Sequence, residues 1–418
     1  MGILVLNTGS SSLKFSFFLD KGDEPALDGQ VDWKGQGRPP ELLIRRPGQT
    51  DRRSTCEAAD PGAAANLAIR TVADAMGDGS TIEAIGHRVV HGGPRFRESV
   101  RIDASLETEL AALAELAPLH NPPALRAIDA AMRERPDVPH VAVFDTTFFR
   151  DLPRSASVYP TPWEWHEAYG IRRYGFHGIS HAYCAGKAAT MLGRDPSSLK
   201  LVVCHLGNGA SAAAILGGVA IGTTMGFTPL AGLMMGTRSG DVDPGILLDL
   251  MKGKGLTAEE LDDALNHHSG LLGVSGVSSD YREVEEAARQ GHDRASLALE
   301  IYAARVRSAI GGFAATLGGL DAVVFAGGVG ENSATLRASA CEGLSFLGLR
   351  LDPSKNEKHP RDTDTDIDTD TDTDTDTDTD TDTDTDIAEA DSPARILVVH
   401  TREDLMIARE VRRLVTSI

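Results

Sequence analysis

Two arginines stand where an anion could be held. Arg88 lies in His87-Arg88-Val89-Val90-His91-Gly92-Gly93, after an apolar run, and Arg238 is embedded in Gly236-Thr237-Arg238-Ser239-Gly240-Asp241. A guanidinium is a permanent cation whose planar fork fits a carboxylate or a phosphate, and the neighbouring glycines let a ligand come close. The alternative for each is a surface arginine paired with a nearby acid. Asp145 follows the apolar run Val141 to Phe144, at a strand end of the kind where α/β proteins project catalytic groups. It reads equally as a buried acid paired with an arginine. His177 sits between Phe176 and Gly178, with His181 one helical turn on. That spacing also suits a two-histidine metal face, but no third ligand is near in sequence. His181 is therefore expected to be structural.

The elements that would position these groups have a repeated form. Gly2 to Leu6 is an apolar run fit for a buried strand, followed by Asn7-Thr8-Gly9-Ser10-Ser11-Ser12-Leu13-Lys14 and a returning strand from Phe15 to Leu19. Hydroxyls, amides and one lysine around a tight glycine turn suit a phosphate; an ordinary hairpin turn uses the same residues. Leu199 to Leu206, Gly207-Asn208-Gly209-Ala210-Ser211 and Ala212 to Leu216 repeat the pattern. Here the glycines spell G-x-G-x-x-A, but a dinucleotide turn must open a helix, and this run ends too soon at Gly217-Gly218. A third copy runs from Asp321 to Ala326 into Gly327-Gly328-Val329-Gly330-Glu331-Asn332 and a helical stretch from Ser333 to Gly343. Three such turns predict a nucleotide held by two related halves. No G-x-x-x-x-G-K-[ST] loop is present.

Seven segments then carry a resemblance. Asn7 to Lys14, His87 to Gly93, Phe144-Asp145-Thr146-Thr147-Phe148-Phe149, Tyr174 to His181, His205 to Ser211, Gly236 to Pro244 and Gly327 to Asn332 resemble the acetate kinase family in its order, over all of the chain except one insertion. The resemblance implies an α/β, two-domain ribonuclease H-like fold, shared with sugar kinases, Hsp70 and actin, with nucleotide in the interdomain cleft. It implies ATP or ADP, acetate or acetyl phosphate, Mg2+ with Mn2+ as a substitute, and a homodimer.

Site roles follow from the same resemblance, residue by residue. Arg88 matches the substrate-carboxylate arginine, with Val90, Leu119, Phe176 and Pro229 as its apolar neighbours; Arg238 and His177 match the groups on the transferring phosphoryl; Asn7 and Glu403 match the metal positions. Ser10, Ser12 and Lys14, His205 to Gly209, Asp280-Tyr281-Arg282 and Gly327 to Glu331 match nucleotide positions, with Leu206, Gly207, Asn208, Gly328, Val329 and Gly330 among them, and His120 matches a site near the reaction. Asp145 matches a proton donor or acceptor. A carboxylic acid substrate, with a pKa near the ~4.3 of Glu, is already ionised at neutral pH and needs no base, so Asp145 is expected to orient Arg88 or a metal-bound water. Propionate as acceptor, a sugar kinase, and a non-catalytic nucleotide-dependent binding protein of the same fold stay open.

The 418 residues suit two domains, expected at 1–147 with 402–418 and at 148–401. The formal charge of −20 owes most to a Thr-Asp repeat from Asp362 to Asp386 that holds 13 Asp, with Ile367 its one apolar residue. Such a segment buries nothing and repels itself, so it is expected to be a disordered surface insertion. Arg395 to His400 is expected as a strand, and the following segment to Arg413 as an amphipathic helix returning to the first half. Cys56, Cys184, Cys204 and Cys341 form no C-x-x-C pair and read as reduced core thiols. No signal sequence or bilayer-length apolar stretch is evident, so a cytoplasmic protein with no membrane or nucleic-acid partner is expected.

Overall fold

The computed structural model describes residues 1–9, 11–19, 22–33, 39–77, 81–115, 121–359 and 384–416. They form two compact units: Met1–Arg150 with Arg402–Ile418, and the described part of 151–401. Among the described residues no helix is long and apolar enough to cross a membrane.

The first unit is built on strands β1 (Gly2–Thr8), β2 (Ser12–Phe18), β3 (Leu27–Asp32), β4 (Glu41–Arg45), β5 (Arg52–Thr55), β6 (Ile82–Val89), β7 (Val100–Ile102) and β8 (His140–Phe144). They form one sheet in the order β5-β4-β3-β2-β1-β6-β8-β7. β1 pairs antiparallel with β2 and parallel with β6, which pairs parallel with β8. Side chains alternate across a sheet, so each face needs a cover. Leu4 and Leu6 pack with Ala64, Ala68, Ala127 and Ala131 of the helices Pro61–Met76 and Asn121–Glu134. Gly86 faces the helix Glu403–Thr416, and a Cβ there would lie 2.6 Å from Val411 Cγ2 and 2.7 Å from Ile407 Cγ2. Only glycine lets that helix approach β6 so closely.

The second unit repeats the plan. Strands β9 (Lys200–Leu206), β10 (Ala210–Leu216), β11 (Val219–Thr223), β12 (Ala322–Ala326), β13 (Thr385–Asp386) and β14 (Arg395–Val398) lie in the order β11-β10-β9-β12-β14-β13. β9 pairs antiparallel with β10 and parallel with β12, which pairs parallel with β14. The helices Gly178–Leu192 and Asp293–Leu317 pack on this sheet. Counted from each hairpin, the central five-strand order is the same in both units, which is the ribonuclease H-like pattern.

Three expectations are corrected. Ser12, Leu13 and Lys14 belong to strand β2 and not to a loop, because pairing runs on to Asn7↔Lys14 and Thr8↔Leu13; the turn closes as Gly9 N donates to the Ser12 carbonyl at 2.9 Å. Gly327–Asn332 is already helical, followed by a second helix, Ala334–Cys341. Residues 362–383 of the Thr-Asp repeat lie outside the described residues; its last three are described, with Thr385↔Val398 and Asp386↔Leu397 paired. Basic side chains capture the acids: Lys187 Nζ is 2.7 Å from Asp384 Oδ2, and Arg395 Nη2 is 2.7 Å from Asp386 Oδ2.

Two outcomes test this packing. Gly86→Ala is expected to destabilise the protein by about 1–3 kcal/mol through overpacking, read by denaturant unfolding, with partial recovery when Val411→Ala is added. Replacing residues 362–383 by a short Gly/Ser link should change stability and kcat little, since loop closure costs only ~0.6 kcal/mol per doubling of length. Extending the deletion through Asp386 should remove about 1–3 kcal/mol with the two ion pairs and the edge pairing.

Candidate active site

In the first unit four segments meet at one guanidinium. Strand alternation puts Arg88 on the same face of β6 as Gly86, toward the C-terminal helix. Its Nη2 donates to Asp145 Oδ2 at 2.8 Å and its Nε to Asp145 Oδ1 at 3.1 Å. Asp145 directly follows β8 and is fully buried. Nη1 of Arg88 donates to Asn7 Oδ1, at the end of β1, at 3.3 Å and lies 3.2 Å from Glu403 Oε2, at the start of the C-terminal helix. A two-point contact to a buried carboxylate fixes the plane of the guanidinium as well as its position. Val90 follows Arg88 at the end of β6 and is half-buried. Lys14 stands opposite Asn7 in β2, and Ser12 is buried there. Ser10, Leu119 and His120 lie outside the described residues.

In the second unit the groups are mostly imidazoles and hydroxyls. His177 precedes the helix Gly178–Leu192 with φ 57°, the one positive φ of a non-glycine residue among those described. That conformation costs about 1–2 kcal/mol and swings the ring back onto β10. There His177 Nδ1 and His181 Nε2 lie 2.9 and 2.8 Å from the single hydroxyl of Ser211. Ser180 Oγ is 2.8 Å from His205 Nδ1 and accepts from Thr401 Oγ1 at 2.8 Å. The rings of His177 and His205 are 4.5 Å apart. Burial and the nearby His205 hold the pKa of His181 well below its ordinary value.

Gly209, in the turn between β9 and β10, is the floor of this group. A Cβ there would come within 2.9 Å of Arg238 Nη2 and 3.3 Å of His177 Nε2, so the guanidinium and the imidazole edge converge on its bare Cα. Arg238 is buried, and its Nη1 donates to the Pro229 carbonyl at 3.0 Å. Leu206 and Phe176 are buried beside this group in sequence. Gly207 N donates to the Gly209 carbonyl, and Gly236 N to that of Asn208.

The Gly327–Asn332 turn is held from inside. Glu331 is turned inward: its Oε1 accepts from Gly327 N at 2.7 Å, and its Oε2 lies 2.8 Å from His400 Nδ1. The fully buried Arg337 donates from Nη1 to the Gly330 carbonyl at 3.0 Å and from Nε to Asn356 Oδ1 at 2.8 Å. Gly328 and Val329 remain half-buried at the turn's surface. Asp280 caps its helix by accepting from Arg282 N at 2.8 Å, and its Oδ2 pairs with Arg282 Nη2 at 2.7 Å; Tyr281 is buried beneath. Sequence reasoning overlooked Ser211, Ser180, Thr401 and Arg337. Ser211 did close a quoted motif, but its histidine partners lie 30 or more residues away, and nothing marks Arg337 in its local sequence.

Among the described residues no three His, Cys, Asp or Glu side chains form a metal-binding group. Asn7 Oδ1 and Glu403 Oε2, both within 3.3 Å of one Arg88 nitrogen, are a carboxamide and carboxylate pair, the hard oxygen donors that a cation such as magnesium takes while keeping much of its water.

Two α/β units on one strand order, each with a glycine turn between antiparallel strands and a fixed arginine, define a ribonuclease H-like protein with sites fit for anions. The particular family follows from comparison with known proteins. The profile described as the acetokinase family matches residues 2–373. An acetate kinase of Gloeobacter violaceus is 47% identical over 421 residues, 98% of each chain, and a propionate kinase of Citrobacter rodentium is 44% identical over 99% of this chain and 96% of its own. The crystal structure of Porphyromonas gingivalis acetate kinase superimposes with a TM-score of 0.85 at 37% identity, covering 99% of both chains. The chain belongs to the acetokinase family, and is thereby an ATP-dependent kinase that works with a nucleotide and a divalent cation.

Next to Arg88 in β6, on the other face of the sheet, is a second buried pair. His87 Nε2 and His140 Nδ1 are 3.0 Å apart, and His140 Nε2 lies 2.9 Å from the Arg135 carbonyl. A carbonyl only accepts, so His140 carries its proton on Nε2, and His87 donates to its Nδ1. Burial, reinforced for His87 by His140, lowers both pKa values. Each folded pKa lies below the unfolded ~6.5, so the unfolded chain binds more protons as pH falls through that value. Stability is therefore complete above about pH 7 and is lost below about 6.5, by up to about 1.4 kcal/mol per pH unit for each histidine. Denaturant unfolding at pH 7.5, 6.5 and 5.5 should show this decline, flattened in a His87→Gln/His140→Gln variant that is less stable at pH 7.5.

Proposed function

We propose that the protein transfers the γ-phosphoryl group of ATP directly and in line to acetate, giving acetyl phosphate and ADP, and catalyses the reverse. The observation that carries this reading is Arg88, a permanent cation whose orientation is set by Asp145, Asn7 and Glu403 at the end of a strand. A small carboxylate needs such a partner, and relatives similar to this chain are named for acetate. The acetate oxygen attacks the γ-phosphorus with its own electron pair, the bond to the β,γ-bridging oxygen breaks, and ADP leaves with that pair. No proton is removed from the acceptor, because acetate is already ionised.

The transition state spreads charge over the three equatorial oxygens. Arg238 and His177, converging on Gly209, supply donors for it. Arg88 holds the acyl carboxylate, Asp145 orients Arg88, and Val90, Leu119, Phe176 and Pro229 keep the acyl-pocket roles that the resemblance implies. Lys14, Ser10, Ser12, the His205–Gly209 turn, Asp280–Arg282 and the Gly327–Glu331 turn serve the nucleotide. Glu331 and Asp280 do so by holding their turns, since their carboxylates are engaged locally. Asn7 and Glu403 would hold Mg2+, which would supply positive charge against the nucleotide's phosphates. The protein acts in the cytoplasm as a homodimer.

Propionate is the second reading, favoured by the 44% identity to a propionate kinase. One methylene is worth only ~0.8 kcal/mol, so discrimination of a few fold at most is expected, and competition between the two acids decides it.

Trapping of acyl phosphate with hydroxylamine in the presence of ATP and acetate tests the activity. Arg88→Ala should raise the KM for acetate at least about tenfold with the KM for ATP little changed, while Arg238→Ala should lower kcat by roughly 10²–10³. Normal acetate saturation in the Arg88 variant sinks the assignment. Asp145→Asn should lower the rate by a factor independent of acceptor pKa, as a positioning residue does; a factor that tracks acceptor pKa makes Asp145 a base.

A further inference from the structure

We propose that Ser211, together with His181, is a positioning device that fixes the proton of His177 on Nε2. The inference rests on the reading of His177 as a donor to the transferring phosphoryl group. Ser211 is fully buried in β10, with its Oγ 2.9 Å from His177 Nδ1 and 2.8 Å from His181 Nε2. A hydroxyl carries one proton, so between two neutral imidazoles it donates to one and accepts from the other. In one arrangement His181 Nε2–H donates to Ser211, Ser211 donates to His177 Nδ1, and the proton of His177 is on Nε2. In the other every bond is reversed, and His177 presents a lone pair at Nε2.

The surroundings choose between them. Nε2 of His177 and Nη2 of Arg238 point to the same place, the bare Cα of Gly209. An anion drawn there by the guanidinium meets an N–H in the first arrangement and a lone pair in the second, and a lone pair facing anionic oxygen is repulsive. Burial beside His205 keeps His181 neutral, so it has a single ring proton to donate. The same device stands alongside: Thr401 Oγ1 donates to Ser180 Oγ, which leaves the Ser180 proton for His205 Nδ1 and the proton of His205 on Nε2. The two neighbouring imidazoles, with centroids 4.5 Å apart and planes tilted by 36°, thus each have a hydroxyl at Nδ1 whose own partner is set. Ser211 acts through His177 and need not touch substrate.

The test is long-range 1H–15N spectroscopy of the full-length protein carrying 15N-histidine at pH 7.5, with the His177 signals identified by their loss in His177→Gln. Wild type should show one neutral form of His177, protonated at Nε2 and bare at Nδ1. Ser211→Ala should show both tautomers, a kcat reduced about tenfold, and KM values for acetate and ATP changed by less than about twofold. Ser211→Thr, which keeps the hydroxyl, should restore the single tautomer and most of kcat. A His177 protonated at Nδ1 in wild type, whether as the other tautomer or as imidazolium, overturns the inference at any level of activity, as does a Ser211→Ala enzyme with unchanged kcat. If the tautomer is as stated and shifts in Ser211→Ala, but His177→Gln retains full kcat, the positioning device stands and the phosphoryl-donor role of His177 falls instead.

Discussion

A carboxylate taken fully out of water must keep a cation beside it, because alone it would be an uncompensated buried charge. Arg88 and Asp145 are in that position, and the geometry of the first unit follows from it. Arg88 is at the end of β6 and Asp145 just past β8, so their two-point contact locks the strand ends in register. Asn7 brings in β1, and Glu403 brings in the chain's last helix. Such a pair adds little to net stability, since desolvation offsets most of the attraction. Its contribution is positional: a cation that cannot rotate, presented to whatever anion arrives.

The rest of the unit accommodates that requirement. For Glu403 to reach Arg88 the C-terminal helix must lie close on β6, which only the missing side chain of Gly86 permits. On the opposite face the neutral His87–His140 pair fills the core without adding a charge near the cation. The second unit solves a related problem with different chemistry. There the polar groups are hydroxyls and imidazoles arranged in chains, with Arg238 the cation they flank. His177 holds an unfavourable backbone conformation to join them, and a buried arginine, Arg337, secures the neighbouring turn through its carbonyls.

Much of this was legible because it is local. Alternating runs of apolar residues around short glycine turns marked β1–β2 and β9–β10, and both hairpins formed. The placement of Asp145 after an apolar strand suggested a projecting acid, and it lies at the strand end in contact with Arg88. Other features were misread because neighbours in space overrode neighbours in sequence. Lys14 looks like a loop residue, yet strand pairing with Asn7 draws it into β2. Asp384 and Asp386 look like the rest of a self-repelling repeat, yet Lys187 and Arg395 neutralise them and an edge strand forms. The hydroxyl partners of the histidines left no trace, since a serine in a small-residue strand has no distinguishing pattern.

By itself, then, the order of residues determined the strand–turn–strand units, the family and the set of side chains able to hold anions, because these depend on residue type and on spacings of a few positions. Tertiary structure decided which of those side chains are paired, which are neutral and which way each one points. Arg88 meets Glu403 across most of the chain's length, and Ser211 in β10 meets one histidine just before and one within the helix Gly178–Leu192. Contacts at such separations arise only when each sheet and its own helices have packed, and burial then lowers the pKa of His87, His140 and His181. The capacity for the chemistry is written in local sequence, whereas its geometry is a property of the packed fold.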